Sequence, residues 1–217
     1  IFSLSTFESG TRAEESTRKA HETTRDIATN PFINLYEKNL LSTESWQDYD
    51  VVGISIIGIS QIIPGLTLAR MLKEKYPHLH ITLGGPIFSV NAGQLIGHPE
   101  FFDDFCHSVV TFEGEEPMHR LLSALKAGDS LYTVPNLVHL DDREVVQNKE
   151  RVELRFEELP NPVFDGLPMD KYLSPYPIIP VLQSRGCYWG KCTFCTHSFV
   201  YGHRYGKQKT QAMVDEL

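Results

Sequence analysis

Val51-Val52-Gly53-Ile54-Ser55-Ile56-Ile57 is the stretch on which the fold turns. It is a continuous apolar run with no polar alternation, as expected of a central parallel strand covered on both faces. Pro64 to Tyr76 follows with helical spacing and points Leu66, Ala69, Leu72 and Tyr76 to one side. His80-Ile81-Thr82-Leu83-Gly84 is the next expected strand, closed by Gly84-Gly85-Pro86. Asn91 to Ile96 predicts a short helix, Ser108 to Phe112 a third strand, and Glu116 to Ala127 a third helix stopped by Gly128. Strands alternating with helices predict an α/β class: a doubly wound, Rossmann-like parallel sheet with right-handed crossovers and helices on both faces.

Upstream, Glu8 to Thr29 is polar and carries hardly any apolar stripe, so an exposed helix or arm is expected. Pro31 fits a helix start with Asn30 as its N-cap, and Phe32, Leu35, Tyr36, Leu40 and Leu41 give that helix an apolar face. Downstream, Asn136–Leu140 and Glu144–Gln147 flank Asp141-Asp142-Arg143 and predict a β-hairpin. A connector with Pro160, Pro162, Pro168, Pro175, Pro177 and Pro180 comes next, and prolines hold such a segment extended. Ile178 to Gln183 is then the expected first strand of a new domain, with a helix starting at Thr210. The expected domains are residues 1–130, a hairpin and linker over 131–180, and the start of a second domain over 181–217.

The chemistry concentrates in Arg185-Gly186-Cys187-Tyr188-Trp189-Gly190-Lys191-Cys192-Thr193-Phe194-Cys195. Three of the four cysteines of a 217-residue chain fall within nine positions. A disulfide would pair two and strand the third, whereas soft thiolates at short spacing suit zinc or an iron–sulfur cluster. Zinc would take His197 as a fourth ligand, while a cube held by three thiolates keeps one iron open. Arg185, Lys191, Arg204, Lys207 and Lys209 stand in a stretch without Asp or Glu, although the chain carries a net charge of −8. A local basic run suits an anionic cluster and a ligand bearing a carboxylate or phosphate.

The cysteine segment resembles the cluster loop of the radical S-adenosylmethionine superfamily, with Phe194 as the aromatic before the last cysteine. The usual first gap is three residues; here Tyr188 to Lys191 make four. The segment closely resembles the loop of members with a cobalamin domain. The resemblance implies a [4Fe-4S] cluster on Cys187, Cys192 and Cys195 that binds S-adenosylmethionine at its open iron. One-electron cleavage would then give a 5′-deoxyadenosyl radical, with methyl transfer as the expected outcome where cobalamin binds. The second domain would begin a partial α/β barrel.

Ser55-Ile56-Ile57 and Gly84-Gly85 resemble the Ser-x-Leu and Gly-Gly elements of cobalamin domains, where small residues leave room for the nucleotide tail. Each also serves as an ordinary strand end or turn. None of the nine histidines follows Asp by two residues, so the Asp-x-His-x-x-Gly element of other cobalamin domains is missing. Glu113-Gly114-Glu115-Glu116-Pro117 resembles the Gly-Glu-Gly-Glu element of the same proteins, and equally suits a helix N-terminus. Cys106 is expected to be a small buried hydrophobe.

Hydrophobic content of 41% and charged content of 22% are ordinary for a globular chain, and no apolar run is long enough to cross a bilayer. The acidic balance argues against nucleic acid as the main partner. A small-molecule or peptide substrate, an external electron donor and a cytoplasmic setting are the remaining expectations. Both ends look cut, so the chain is expected to be an inactive fragment of a larger enzyme.

Overall fold

The computed structural model describes residues 16–160, 162–176, 178–211 and 214. The chain divides into two units, Ile1–Val152 and Glu153–Leu217.

The first unit is organised on β1 (Val51–Ser55), β2 (His80–Gly84) and β3 (Ser108–Val110), which run parallel in that order. The sequence β1–β2–β3 shows no reversal of strand order among the described residues, so the switch point of a doubly wound sheet is not among them. β4 (Leu137–Asp141) and β5 (Glu144–Gln147) form a hairpin that adds antiparallel to β3. The hairpin, expected in the linker, therefore continues the sheet. Its turn places Asp142 at φ 40° and Arg143 at φ 70°, the left-handed backbone a two-residue hairpin turn requires.

One face of the sheet carries α3 (Ile62–Lys75), α4 (Pro86–Leu95) and α5 (Pro99–Phe105). Leu66, Ala69 and Leu72 of α3 meet Ile81, Leu83, Val109, Phe102 and Phe105 in one core. Each such fully buried side chain contributes about 1.5–3 kcal/mol. The other face carries α6 (Glu115–Ala127), whose Leu121 and Ala124 pack with Val110, Val134 and Leu137. On β3 and β4 neighbouring residues divide between the two cores, Val109 and Val138 with the first and Val110 and Leu137 with the second, as pleating dictates. Gly128 ends α6 at φ 70°, the expected left-handed cap.

α1 (Thr17–Thr23) and α2 (Pro31–Asn39) precede the sheet. The Asn30 side chain accepts from the Phe32 N–H at 3.1 Å and caps α2 as expected. Ile33 and Leu41 face inward, but Leu35 is half exposed, so the expected apolar face is narrower. The part of the Glu8–Thr29 expectation before residue 16 lies outside the described residues. α4 begins at Pro86, five residues before the expected helix, because Pro fixes a helical φ in a first turn. α5 had no counterpart in the sequence reading.

In the second unit Ile178–Gln183 does not form the expected strand. Instead β6 (Ser184–Gly186) pairs antiparallel with β7 (Tyr205–Lys207), and α7 (His197–Val200) lies between them. Ile178, Ile179 and Leu182 remain exposed, so no core draws that stretch into a sheet. The helix expected from Thr210 lies mostly outside the described residues. No helix among the described residues is long and apolar enough to cross a membrane.

Candidate functional site

Register brings the first group of expected residues together. Ser55 pairs with Gly84, and Gly84 with Val110, in one row across the carboxyl ends of the three parallel strands. In parallel α/β sheets that end is where ligands settle. A cleft of about 240 Å³ opens there, lined by Gly53, Ser55, Gly84, Gly85, Gly114 and neighbouring side chains. It uses the sheet face that α6 covers only in part, since Met118 also lines it.

Missing Cβ atoms shape this cleft. At Gly84 a Cβ would meet only the Val110 carbonyl oxygen, at 3.5 Å, so a methyl group has space. Gly85 is different: its φ is 114°, and a Cβ would fall 2.2 Å from the Ile56 carbonyl oxygen. Only glycine lets the loop after β2 pass so close to the end of β1. The turn after β1 is held by the Gln61 side-chain oxygen, which accepts from the Ile57 N–H at 2.7 Å.

Several lining residues carried no signal in the sequence reading: Thr82, Val110, Phe112 and Met118. Phe112 adopts φ 60°, a conformation costing non-glycine residues about 1–2 kcal/mol. Its neighbours hold it there. Asn136, itself at φ 55° and buried, accepts through its carbonyl from the Thr111 N–H and hydroxyl at 2.8 and 2.9 Å. The Asn136 amide nitrogen donates to the Glu113 carbonyl at 3.2 Å and the Val152 carbonyl at 3.0 Å. The Phe112 N–H donates to the buried Ser89 hydroxyl at 2.7 Å. Asn tolerates left-handed backbone, which is the one clue the sequence offered at 136.

The segment Glu113–Pro117 takes both of its expected roles. Glu115 and Glu116 occupy the first turn of α6, Glu116 pairs with Arg120 at 2.8 Å, and Gly114 lines the cleft. Cys106 is fully buried, and burial pushes its thiol up out of the ordinary range.

The second group of expected residues stands on the loop closed by β6 and β7. The Cys187 N–H donates to the Arg204 carbonyl at 3.2 Å, just beyond the ribbon. Gly186 has φ 87°, and a Cβ there would lie 2.0 Å from that same carbonyl oxygen. The Gly190 N–H, at φ 59°, lies 3.5 Å from the Cys187 sulfur. Cys187 is half-buried, Cys192 and Cys195 are exposed, and none of the cysteines is in a disulfide. Phe194 is 87% exposed. His197 Nε2 donates to the Gly186 carbonyl at 3.2 Å, which engages that nitrogen in the backbone rather than with the cysteines. Among the described residues no three His, Cys, Asp or Glu side chains are gathered as metal ligands.

An uncharacterised methyltransferase of Pyrococcus horikoshii is 29% identical over 172 residues, covering 78% of this chain and 36% of that protein. The hopanoid C-3 methylase of Methylococcus capsulatus is 27% identical over 192 residues, covering 82% of this chain and 33% of that protein. The fold matches the radical S-adenosylmethionine methyltransferase TsrM of Kitasatospora setae, solved with cobalamin and a [4Fe-4S] cluster bound, at a TM-score of 0.57. The chain is thus similar in sequence to methyltransferases and in fold to a radical S-adenosylmethionine methyltransferase. Identity to TsrM is 18%, with 85% of this chain and 38% of that one covered, so that likeness speaks for the fold. No family model matches the sequence. The chain spans about a third of the length of the methyltransferases it matches.

For an iron–sulfur cluster the donors are of the right chemistry. Three thiols free of disulfides, two of them open to solvent, are soft ligands suited to iron and sulfide. The cleft likewise has the small-residue lining that a bulky nucleotide-like group needs. The expected site residues thus fall in two places: Ser55, Gly84 and Gly85 around the cleft, and Cys187, Cys192, Cys195 and Phe194 on the loop.

Proposed function

We propose that this chain carries the cobalamin-type domain and the cluster loop of a radical S-adenosylmethionine methyltransferase. The observation behind this reading is the kinship to methyltransferases over 78% of the chain, combined with the Cys187, Cys192, Cys195 spacing. On this reading the first unit is part of a doubly wound sheet, and the second opens a partial barrel.

Cys187, Cys192 and Cys195 would hold a [4Fe-4S] cluster, and the cleft at Ser55, Gly84 and Gly85 would hold the nucleotide tail of cobalamin. When bound, the cluster supplies one electron and an open iron for S-adenosylmethionine, and cobalamin supplies a metal that carries a methyl group. The chain's own contribution is positional. Gly186 and the β6–β7 ribbon fix where the cysteine loop starts, and Phe194 offers an exposed aromatic surface beside the last cysteine. Arg185, Lys191 and Arg204 offset the negative charge of a cluster and of a carboxylate ligand. The substrate would be a small molecule or peptide, the electron donor an external one, and the setting a reducing one such as the cytoplasm.

The test is metal analysis of the full-length protein purified without oxygen. About four iron and four sulfide per chain are expected, falling to background when Cys192 and Cys195 are both replaced by Ala. Stoichiometric zinc without iron would overturn the reading.

A further inference from the structure

Phe112 stands out on three counts. It is a non-glycine residue in left-handed backbone, it lines the cleft, and the structure holds it there from both sides. A bulky aromatic in that conformation is a genuine outlier, and such outliers gather at ligand sites, where surrounding contacts sustain them. The bond from its N–H to Ser89 continues through the Ser89 hydroxyl, which donates to the Gly85 carbonyl at 3.4 Å. The loop after β3 is thereby tied to the loop after β2, so the ring and Gly85 keep one spacing across the cleft. The Arg151 guanidinium lies over the ring, 3.7 Å from its centroid, and stiffens it further. Most of the other lining positions at this end are small or aliphatic: Gly53, Ser55, Gly84, Gly114 and Val110. Phe112 supplies an aromatic surface among them.

We propose that Phe112 is a specificity-determining residue of the cleft, selecting occupants whose inserted end is a flat heteroaromatic ring. A rigid ring at fixed spacing favours a planar group that can stack or meet it edge-on, and gains little from a flexible aliphatic end. This rests on the reading of the cleft as a corrinoid site. For a corrinoid, the heteroaromatic end is the benzimidazole of the nucleotide tail.

Hydroxocobalamin, which has that ring, and aquocobinamide, which lacks it, separate the contribution. Both are titrated by absorbance into the full-length protein and its Phe112→Leu, Phe112→Gly and Phe112→Tyr variants. Phe112→Leu is expected to weaken hydroxocobalamin about tenfold and to leave aquocobinamide unchanged. Phe112→Tyr keeps the wild-type preference. Phe112→Gly loses the preference while its melting temperature stays level or rises, because glycine accepts the left-handed backbone freely; lost binding is then not lost folding. Wild-type preference retained in both the Leu and Gly variants would overturn the proposal and leave the cleft reading standing. Failure of the wild-type protein to bind either corrinoid would remove the cleft reading, and this proposal with it.

Discussion

Gly85 in the first unit and Gly186 in the second do the same job: each lets one backbone pass another too closely for a side chain. A Cβ would come within 2.2 Å of the Ile56 oxygen at Gly85 and 2.0 Å of the Arg204 oxygen at Gly186. Beyond those two points the regions diverge. Past Gly85 the walls of the cleft are tied together through Ser89, Phe112 and Asn136, all in the first unit. Past Gly186 the backbone is anchored at Cys187, but Cys192, Phe194 and Cys195 stand exposed. The first region is shaped by folding alone. On the proposed reading the second supplies ligands whose final arrangement a bound group would impose, so the ordering cost would fall at binding rather than at folding.

The sharpest way to break this comparison is to fill both glycines. Gly85→Ala combines a positive φ with a backbone clash and should destabilise the first unit by at least about 4 kcal/mol. Urea unfolding followed by far-ultraviolet circular dichroism measures it. Gly186→Ala should open the β6–β7 ribbon and abolish iron and sulfide loading, read by metal analysis. If Gly85→Ala unfolds at the wild-type midpoint, the close approach of the two loops is not what holds the cleft.

The difference also marks how far the sequence could be read. β2 and the hairpin were legible because apolar pattern and turn residues agreed, and Asn30, Pro31 and Gly128 marked helix ends through side-chain and backbone chemistry that is local. Ser55 and Gly84-Gly85 could be placed at one end of a sheet because strand direction alone puts them there. Ile178–Gln183 misled because its apolar pattern suits a strand, whereas a strand also needs partners, and among the described residues only its last residue finds one, the Gln183 carbonyl accepting from the Gln208 N–H at 2.9 Å. Phe112 was illegible for a different reason. Its backbone is dictated by Asn136, which is 24 positions away in the sequence, and by Ser89, and nothing local in an aromatic residue signals a left-handed conformation.

A smaller effect separates the two ends of the sheet. His80 and His107 lie at its amino end, stacked with ring centroids 5.1 Å apart. His80 Nε2 meets the Ser108 hydroxyl at 2.9 Å, and His107 Nδ1 accepts from the Ile81 N–H at 2.9 Å, which requires that His107 nitrogen to be unprotonated. Burial pulls both down to about 4, helped by the His107 and Lys73 charges at His80 and by Lys73 at His107. The unfolded chain binds these protons from about pH 6.5 downward, before the folded protein does. Stability is therefore complete above pH 6.5 and declines as pH falls toward 4. A loss of about 1–3 kcal/mol is expected, allowing for partial solvent exposure. Denaturation midpoints at pH 7.0, 5.5 and 4.5 show it, and His80→Gln should flatten the slope. A midpoint that does not move with pH would mean the pair is solvated in the folded protein.

The least change in stability should come from the position that, on the proposed reading, bears most directly on the ligand. Gly84→Ala adds a methyl at ordinary contact distance, 3.5 Å from the Val110 oxygen, with no positive φ to strain. Its effect on stability should stay within about 1 kcal/mol, since alanine also reduces the freedom of the unfolded chain. The same methyl enters the row between Ser55 and Val110, where the cleft has its floor. Hydroxocobalamin affinity should fall at least about tenfold while the melting curve stays in place, because the space that one methyl group takes from a fitted site cannot be recovered by a rigid sheet. Gly85→Ala could lose binding by unfolding; Gly84→Ala cannot, which makes it the cleaner probe of whether this cleft holds a ligand. Unchanged affinity in a folded Gly84→Ala protein would show that the ligand does not reach the sheet there, and the small residues at the strand ends would then serve only the turns they sit in.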